Sequence, residues 1–204
     1  MYRKEQGESG RKRAGMPFLS PGIAGIIDAI EQETLDRALA QSIYFGPTAY
    51  THIKRLIEMG GAIITDTMLV ANEIDANLLG RNGARVLCFI DDPQVIALAR
   101  QRHVTRAEVA VDYGLAIPGP KLMVVGSAPA AISRMIQRRQ HEPMSDVCVL
   151  AAPKGFVSVI QLKERLMESD LTSITVRGKK GGVTATAAIL NAILREIATD
   201  GGRI

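Results

Sequence analysis

The sequence predicts a three-layer α/β sandwich, a mostly parallel sheet with helices on both faces. Three observations predict it. Short apolar runs recur along the chain, in GAIITDT, ARVLCFIDD, KLMVVGSAP, DVCVLAAPKGF and SITV. Longer stretches with helical spacing of apolar residues separate them, and strands alternating with helices build parallel βαβ units. No linker or low-complexity stretch divides residues 16–200, and a chain of 204 residues that is 47% hydrophobic can bury a full-sized core. The expected organisation is a single domain over 16–204, preceded by a basic, disordered tail over 1–15.

The elements follow in order. Ile23, Ile26, Ile27 and Ile30 recur at helical spacing, so 20–41 reads as a helix. A second covers 46–61, with Pro47 suited to its first turn and Gly60 to its stop. GAIITDT is a strand over 61–67. The GR and NG pairs of 80–83 mark a surface turn before the strand over 84–90. Asp91 and Asp92 precede Pro93, where a carboxylate caps the helix running to Gln101. Thr105 and Glu108 form a capping-box pattern for the helix in TRAEVAVDYG. Then come a strand over 121–125, a helix over 129–139, a strand over 147–152, a helix over 157–168, a strand over 173–176 and a closing helix over 184–197.

Composition excludes several classes. Aromatic residues make up 4% and tryptophan is absent, which leaves no stacking platform for single-stranded nucleic acid. The net charge is +4, but the tail holds Arg3, Lys4, Arg11, Lys12 and Arg13 against Glu5 and Glu8, so most of the excess sits there. Met16 is an alternative start. Cys88 and Cys148 lie inside apolar runs as buried thiols, without a CxxC pair or metal-ligand spacing. No apolar run reaches the roughly 18 residues of a membrane helix and no signal peptide is evident, so a cytoplasmic protein is expected.

In open α/β sheets ligands bind outside the carboxyl ends of the strands. The residues that follow the strands are Asp66 and Thr67; Asp91 and Asp92; Gly126, Ser127, Ala128 and Pro129; Pro153, Lys154 and Gly155; and Arg177, Gly178, Lys179, Lys180, Gly181 and Gly182. Glycines, small polar residues and cations at helix starts favour an anionic ligand, although a charged loop is as often simply solvated. The P-loop and dinucleotide fingerprints are both absent. None of His52, His103 and His141 falls on the rim, and no serine or cysteine stands beside one as a nucleophile. Arg106 opens a helix, where a cation opposes the helix dipole unless an anion meets it. That anion is a ligand carboxylate, or Glu108 or Asp112.

The ordered series GGAIITDTMLV, HVTRAE, LMVVGSAPAAISRMI, APKGFVSVIQLKE and ITVRGKKGGVTATAAILNAI resembles that of the precorrin-8X methylmutase (precorrin isomerase) family over about residues 47–195. The resemblance implies an α/β fold and an isomerase that moves a methyl group from C11 to C12 of a corrin precursor in cobalamin biosynthesis, without a cofactor or metal. It implies a homodimer or higher homo-oligomer and a tetrapyrrole substrate carrying several carboxylates. Arg177, Lys179 and Lys180, with the amides of Gly181 and Gly182, would hold those carboxylates, aided by Arg106, Asp66, Thr67, Gly126, Ser127 and Lys154. Two departures stand out. The family's G-N-A-P-T-A block reads GSAPAA from Gly126, so an amide side chain is shortened to the hydroxyl of Ser127. The family's N-terminal serine–arginine segment has no clear counterpart, and its proton-carrying histidine falls at Gln32 by spacing, flanked by Glu31 and Glu33. The alternative is therefore a non-catalytic or altered-chemistry paralogue that binds a corrinoid or another polycarboxylate.

Overall fold

The computed structural model describes residues 20–79 and 83–200. The tail expected over 1–15, and residues 80–82 of the surface turn, lie outside them. The stretch expected as one helix over 20–41 forms two, α1 (Pro21–Thr34) and α2 (Arg37–Ser42). Leu35 breaks the run in the left-handed region, with φ 51°. Asp36 then caps α2 by accepting from the Leu39 amide at 2.9 Å, which satisfies a donor the first turn leaves free. Helical periodicity continues across 35–36, so spacing alone did not reveal the break.

Residues 43–45, unassigned from the sequence, form strand β1 (Ile43–Phe45). The next helix, α3 (Ala49–Glu58), starts later than expected. The Gly46 amide is taken by the Ser173 carbonyl at 2.8 Å, and Thr48 has φ 61°, so Pro47 sits in the entry turn. After β2 (Ala62–Thr65) come two short unpredicted helices, α4 (Met68–Glu73) and α5 (Ala76–Leu79). Neither is long enough to show a periodic apolar stripe. The remaining elements end close to where the sequence places them: β3 (Arg85–Cys88), α6 (Pro93–Arg102), α7 (Arg106–Ala116), β4 (Lys121–Val125), α8 (Pro129–Arg139), β5 (Val147–Ala151), α9 (Val157–Glu168), β6 (Thr172–Val176) and α10 (Val183–Asp200). Asp92 caps α6, accepting from the Gln94 amide at 2.7 Å, and both bonds of the Thr105–Glu108 capping box form.

The sheet order is β1-β6-β5-β4-β2-β3, parallel except for β1, which pairs antiparallel with β6 at the edge. Alternate residues enter two cores. Ile63, Leu122, Val124, Leu150 and Ile174 meet α1, α3 and the alanine-rich α10 on one face. Ile64, Met123, Val125 and Val149 meet α7, α8 and α9 on the other. This is the expected three-layer α/β sandwich. It gathers the loops that follow β2 to β6 along one rim. Because β1 is antiparallel, α2 leads into it from that same rim, and the Ser42 carbonyl accepts from the Arg177 amide at 2.8 Å.

Candidate functional site

The rim divides into two halves with different chemistry. Beside β2 and β4 the polar groups are spent on one another. Asp66, 7% exposed, accepts from the amides of Gly126, Ser127 and Ala128 at 3.2, 2.7 and 2.6 Å. Thr67 caps α4, accepting from the Val70 amide at 3.4 Å. The void next to Asp66 measures only about 10 Å³, too little to take a ligand. Asp66, Thr67 and the Gly126 and Ser127 amides thus bond within the loops themselves. Arg106 pairs with Asp91 at 3.0 Å on the surface. Its anion is neither Glu108 nor Asp112; Asp112 is engaged bidentately by Arg134 at 2.9 and 2.7 Å.

Beside β5 and β6 the rim opens into a cavity of about 430 Å³ lined by Asp36, Leu39, Lys154, Gly155, Phe156, Lys179, Lys180 and Gly181. Its floor is the loop over 177–182, which three bonds fasten to the end of β5, to Gly155 ahead of α9 and to the middle of α9. The Gly182 amide donates to the Ala152 carbonyl at 2.7 Å, the Gly155 amide to the Lys179 carbonyl at 3.2 Å, and Lys163 Nζ to the Lys180 carbonyl at 2.9 Å. Gly178, Gly181 and Gly182 all have positive φ. At Gly181 a Cβ would stand 2.1 Å from the Ala152 oxygen, so only glycine allows this approach. The Gly182 amide is therefore not offered to a ligand. That corrects the expectation of two free helix-start amides, since the backbone of β5 lies close enough to take one.

The cations differ in their commitments. Lys180 Nζ meets both Asp36 oxygens, at 2.7 and 2.5 Å. The Lys180 hydrogen bond, followed by the Leu39 amide, holds the Asp36 carboxyl below the usual carboxylate range. Among the described residues Lys154, Lys179 and Arg177 make no ion pair. Arg177 lies over the Tyr44 ring, 5.1 Å from its centroid, outside the cavity wall. Apolar surface borders the same opening, since Phe156 is 79% and Val157 70% exposed, and Leu35, next to Asp36 in the chain, is 89% exposed. Gln32 is exposed near the end of α1 and does not line the cavity. His52 sits on α3, which is entered from the opposite end of the strands, and its Nδ1 lies 3.2 Å from the Thr48 hydroxyl.

Of the residues singled out in the sequence, the cavity unites Lys154, Gly155, Lys179, Lys180 and Gly181. Asp36, Leu39 and Phe156 are additional. Asp36 passed unremarked because 20–41 read as one unbroken helix, and Phe156 was legible only as part of PKGFV. Among the described residues no group of three His, Cys, Asp or Glu side chains is placed to hold a metal ion, and no helix is long and apolar enough to cross a membrane.

The sequence profile of precorrin-8X methylmutase matches residues 11–196. The chain belongs to the precorrin-8X methylmutase family. Members of this family are isomerases of cobalamin biosynthesis. The cobalt-precorrin-8 methylmutase of Salmonella typhimurium is 32% identical over 178 residues, 87% of this chain and 83% of that protein. Its counterpart from Methanothermobacter thermautotrophicus is 28% identical over 176 residues, 86% of this chain and 82% of the relative. Among solved structures, precorrin-8X methylmutase from Thermus thermophilus superposes with a TM-score of 0.78 at 29% identity, covering 92% of this chain and 91% of that one. A precorrin-8X methylmutase related protein shares the fold with a TM-score of 0.81 at 23% identity, covering 88% and 94%.

Proposed function

We propose that this chain is a cytoplasmic isomerase that moves a methyl group from C11 to C12 of a corrin precursor, and that the β5–β6 cavity receives the macrocycle. The observation that carries the reading is the composition of that cavity in a member of this family. Lys154, Lys179 and Lys180 share one opening with the exposed Phe156. A corrin precursor has a matching duality, a broad apolar ring with acetate and propionate carboxylates around its edge. Lys154 and Lys179 take carboxylates as point charges, Lys180 does so by sharing with Asp36, and Arg177 at the loop's start adds a bidentate contact. Phe156 and Leu39 cover the ring face and exclude water from it. The methyl shift is internal to the substrate and consumes no second reactant; the protein's task is to hold the ring and assist its protonation.

Spectroscopic titration with precorrin-8 tests the placement. Lys154→Ala and Lys179→Ala should each weaken binding about tenfold, since a charge-assisted hydrogen bond contributes about 1.5–3 kcal/mol. Unchanged affinity in both variants at low salt would remove this cavity from the site. Arg106→Ala serves as a comparison at the far side of the rim, where Asp91 already holds the guanidinium, and a loss below about threefold is expected there.

One observation favours a second reading, a paralogue that binds a corrinoid without turning it over. The residue at the family histidine's position by spacing, Gln32, donates a hydrogen bond but no proton at neutral pH. On that reading Gln32→His raises turnover by a large factor, within the about 10²–10⁴ of a positioned general acid. Assembly into a homodimer is part of the proposal, and sedimentation equilibrium of the purified chain tests it.

A further inference from the structure

A buried lysine donates to the backbone of the cationic loop. Lys163, on α9, is 0% exposed and stands in a row with the buried Leu162 and Leu166. Among the described residues its ammonium has one hydrogen-bond partner, the Lys180 carbonyl at 2.9 Å, and no carboxylate pairs with it. Burial pushes the group down to about 8 from its ordinary 10.5. An unpaired buried ammonium is costly, and a methionine would fill the same space without that cost. Its local effect is therefore what distinguishes it from an apolar side chain.

The loop over 177–182 needs such an anchor. Positive φ at three glycines leaves it little intrinsic stiffness. Besides the Lys180–Asp36 pair, its other fastenings are backbone bonds, Arg177 to Ser42, Gly155 to Lys179 and Gly182 to Ala152. Lys163 adds a charged side-chain donor at the centre of the loop. Lys180 is thus gripped at both ends, its carbonyl by Lys163 and its ammonium by Asp36.

Resting on the reading of this loop as the carboxylate site, we propose that Lys163 is a positioning residue: its buried ammonium clamps the Lys180 carbonyl and fixes the directions in which Lys179 and Lys180 enter the cavity. Fixing the loop before the ligand arrives removes an ordering cost from binding. The clamp predicts opposite consequences for stability and binding. Removing the charge relieves desolvation, so the fold should hold or gain, while the freed loop binds less well. A residue of purely structural importance would lose both together.

The test is Lys163→Met in the full chain, read three ways. The thermal midpoint should equal or exceed that of the wild type. Hydrogen exchange at the Gly155 and Gly182 amides, measured without ligand, should accelerate about tenfold, as expected for loss of a charge-assisted bond, with β4 and β5 amides unchanged. With precorrin-8, KM should rise about tenfold and kcat change less. Unaltered exchange at Gly155 and Gly182 overturns the clamp, as does a fall in midpoint with acceleration throughout the sheet. Should the variant not fold, the relief of desolvation is refuted. The wild type supplies an independent arm: its Gly155 and Gly182 amides must be protected like those of β5, and free exchange there overturns the proposal. Exchange is read without substrate, so the clamp can stand or fall separately from the assignment of function.

Discussion

At Asp66 three backbone amides converge on one nearly buried carboxylate. Asp66→Ala would strand them, and each unsatisfied buried donor costs about 1–3 kcal/mol. Part of that is recovered as water enters, so a loss of about 3 kcal/mol in urea unfolding is expected. A loss below about 0.5 kcal/mol would return Asp66 to the candidate ligand contacts. Lys163 gives a pH dependence of definite sign. The unfolded lysine titrates near 10.5 and the folded one at about 8. Below the lower value both states carry the proton and the desolvation cost is fully present. Between the two values the unfolded chain binds the additional proton, so this residue's contribution to stability rises with pH. Unfolding of wild type and Lys163→Met at about pH 7.5 and about pH 9.5 checks it: the wild type should gain on the variant at the higher pH. A difference independent of pH would mean that Lys163 titrates normally.

The loop between β6 and α10 depends on one close approach. In Gly181→Ala the methyl group would meet the Ala152 oxygen at 2.1 Å with φ at 136°. The loop must then leave β5, and binding of precorrin-8 should fall at least tenfold, on the order of 1.4 kcal/mol or more. Retention of full affinity would show that the cations work without this geometry. This element also marks the limit of what the sequence revealed. Three cations among glycines after an apolar run identified the loop, and strand alternation located the rim. That Lys180 is paired was not legible, because its partner Asp36 lies 144 residues away. The break at Leu35 was missed because helical spacing runs through it, and β1 because three residues carry no period. The sequence placed Lys163 on a helix, but its burial follows from how α9 packs against β5 and β6.

Across the whole molecule, the rule that ligands sit where strand order reverses would place the site near β2, which has β3 on one side and β4 on the other. Asp66 closes that crevice, and the open cavity lies at β5 and β6, bounded by α2 because β1 returns antiparallel. The fold thus supplies a lysine-rich opening at one end of the sheet, with apolar surface beside it. The central claim is that this opening holds a corrin precursor while its methyl group migrates. The most direct measurement is incubation of the purified chain with precorrin-8, with and without cobalt, carrying an isotope-labelled methyl at C11. The account predicts that the label appears at C12, by NMR, together with the spectral change of the macrocycle. Label remaining at C11, in a sample that the Salmonella typhimurium cobalt-precorrin-8 methylmutase converts, would contradict it.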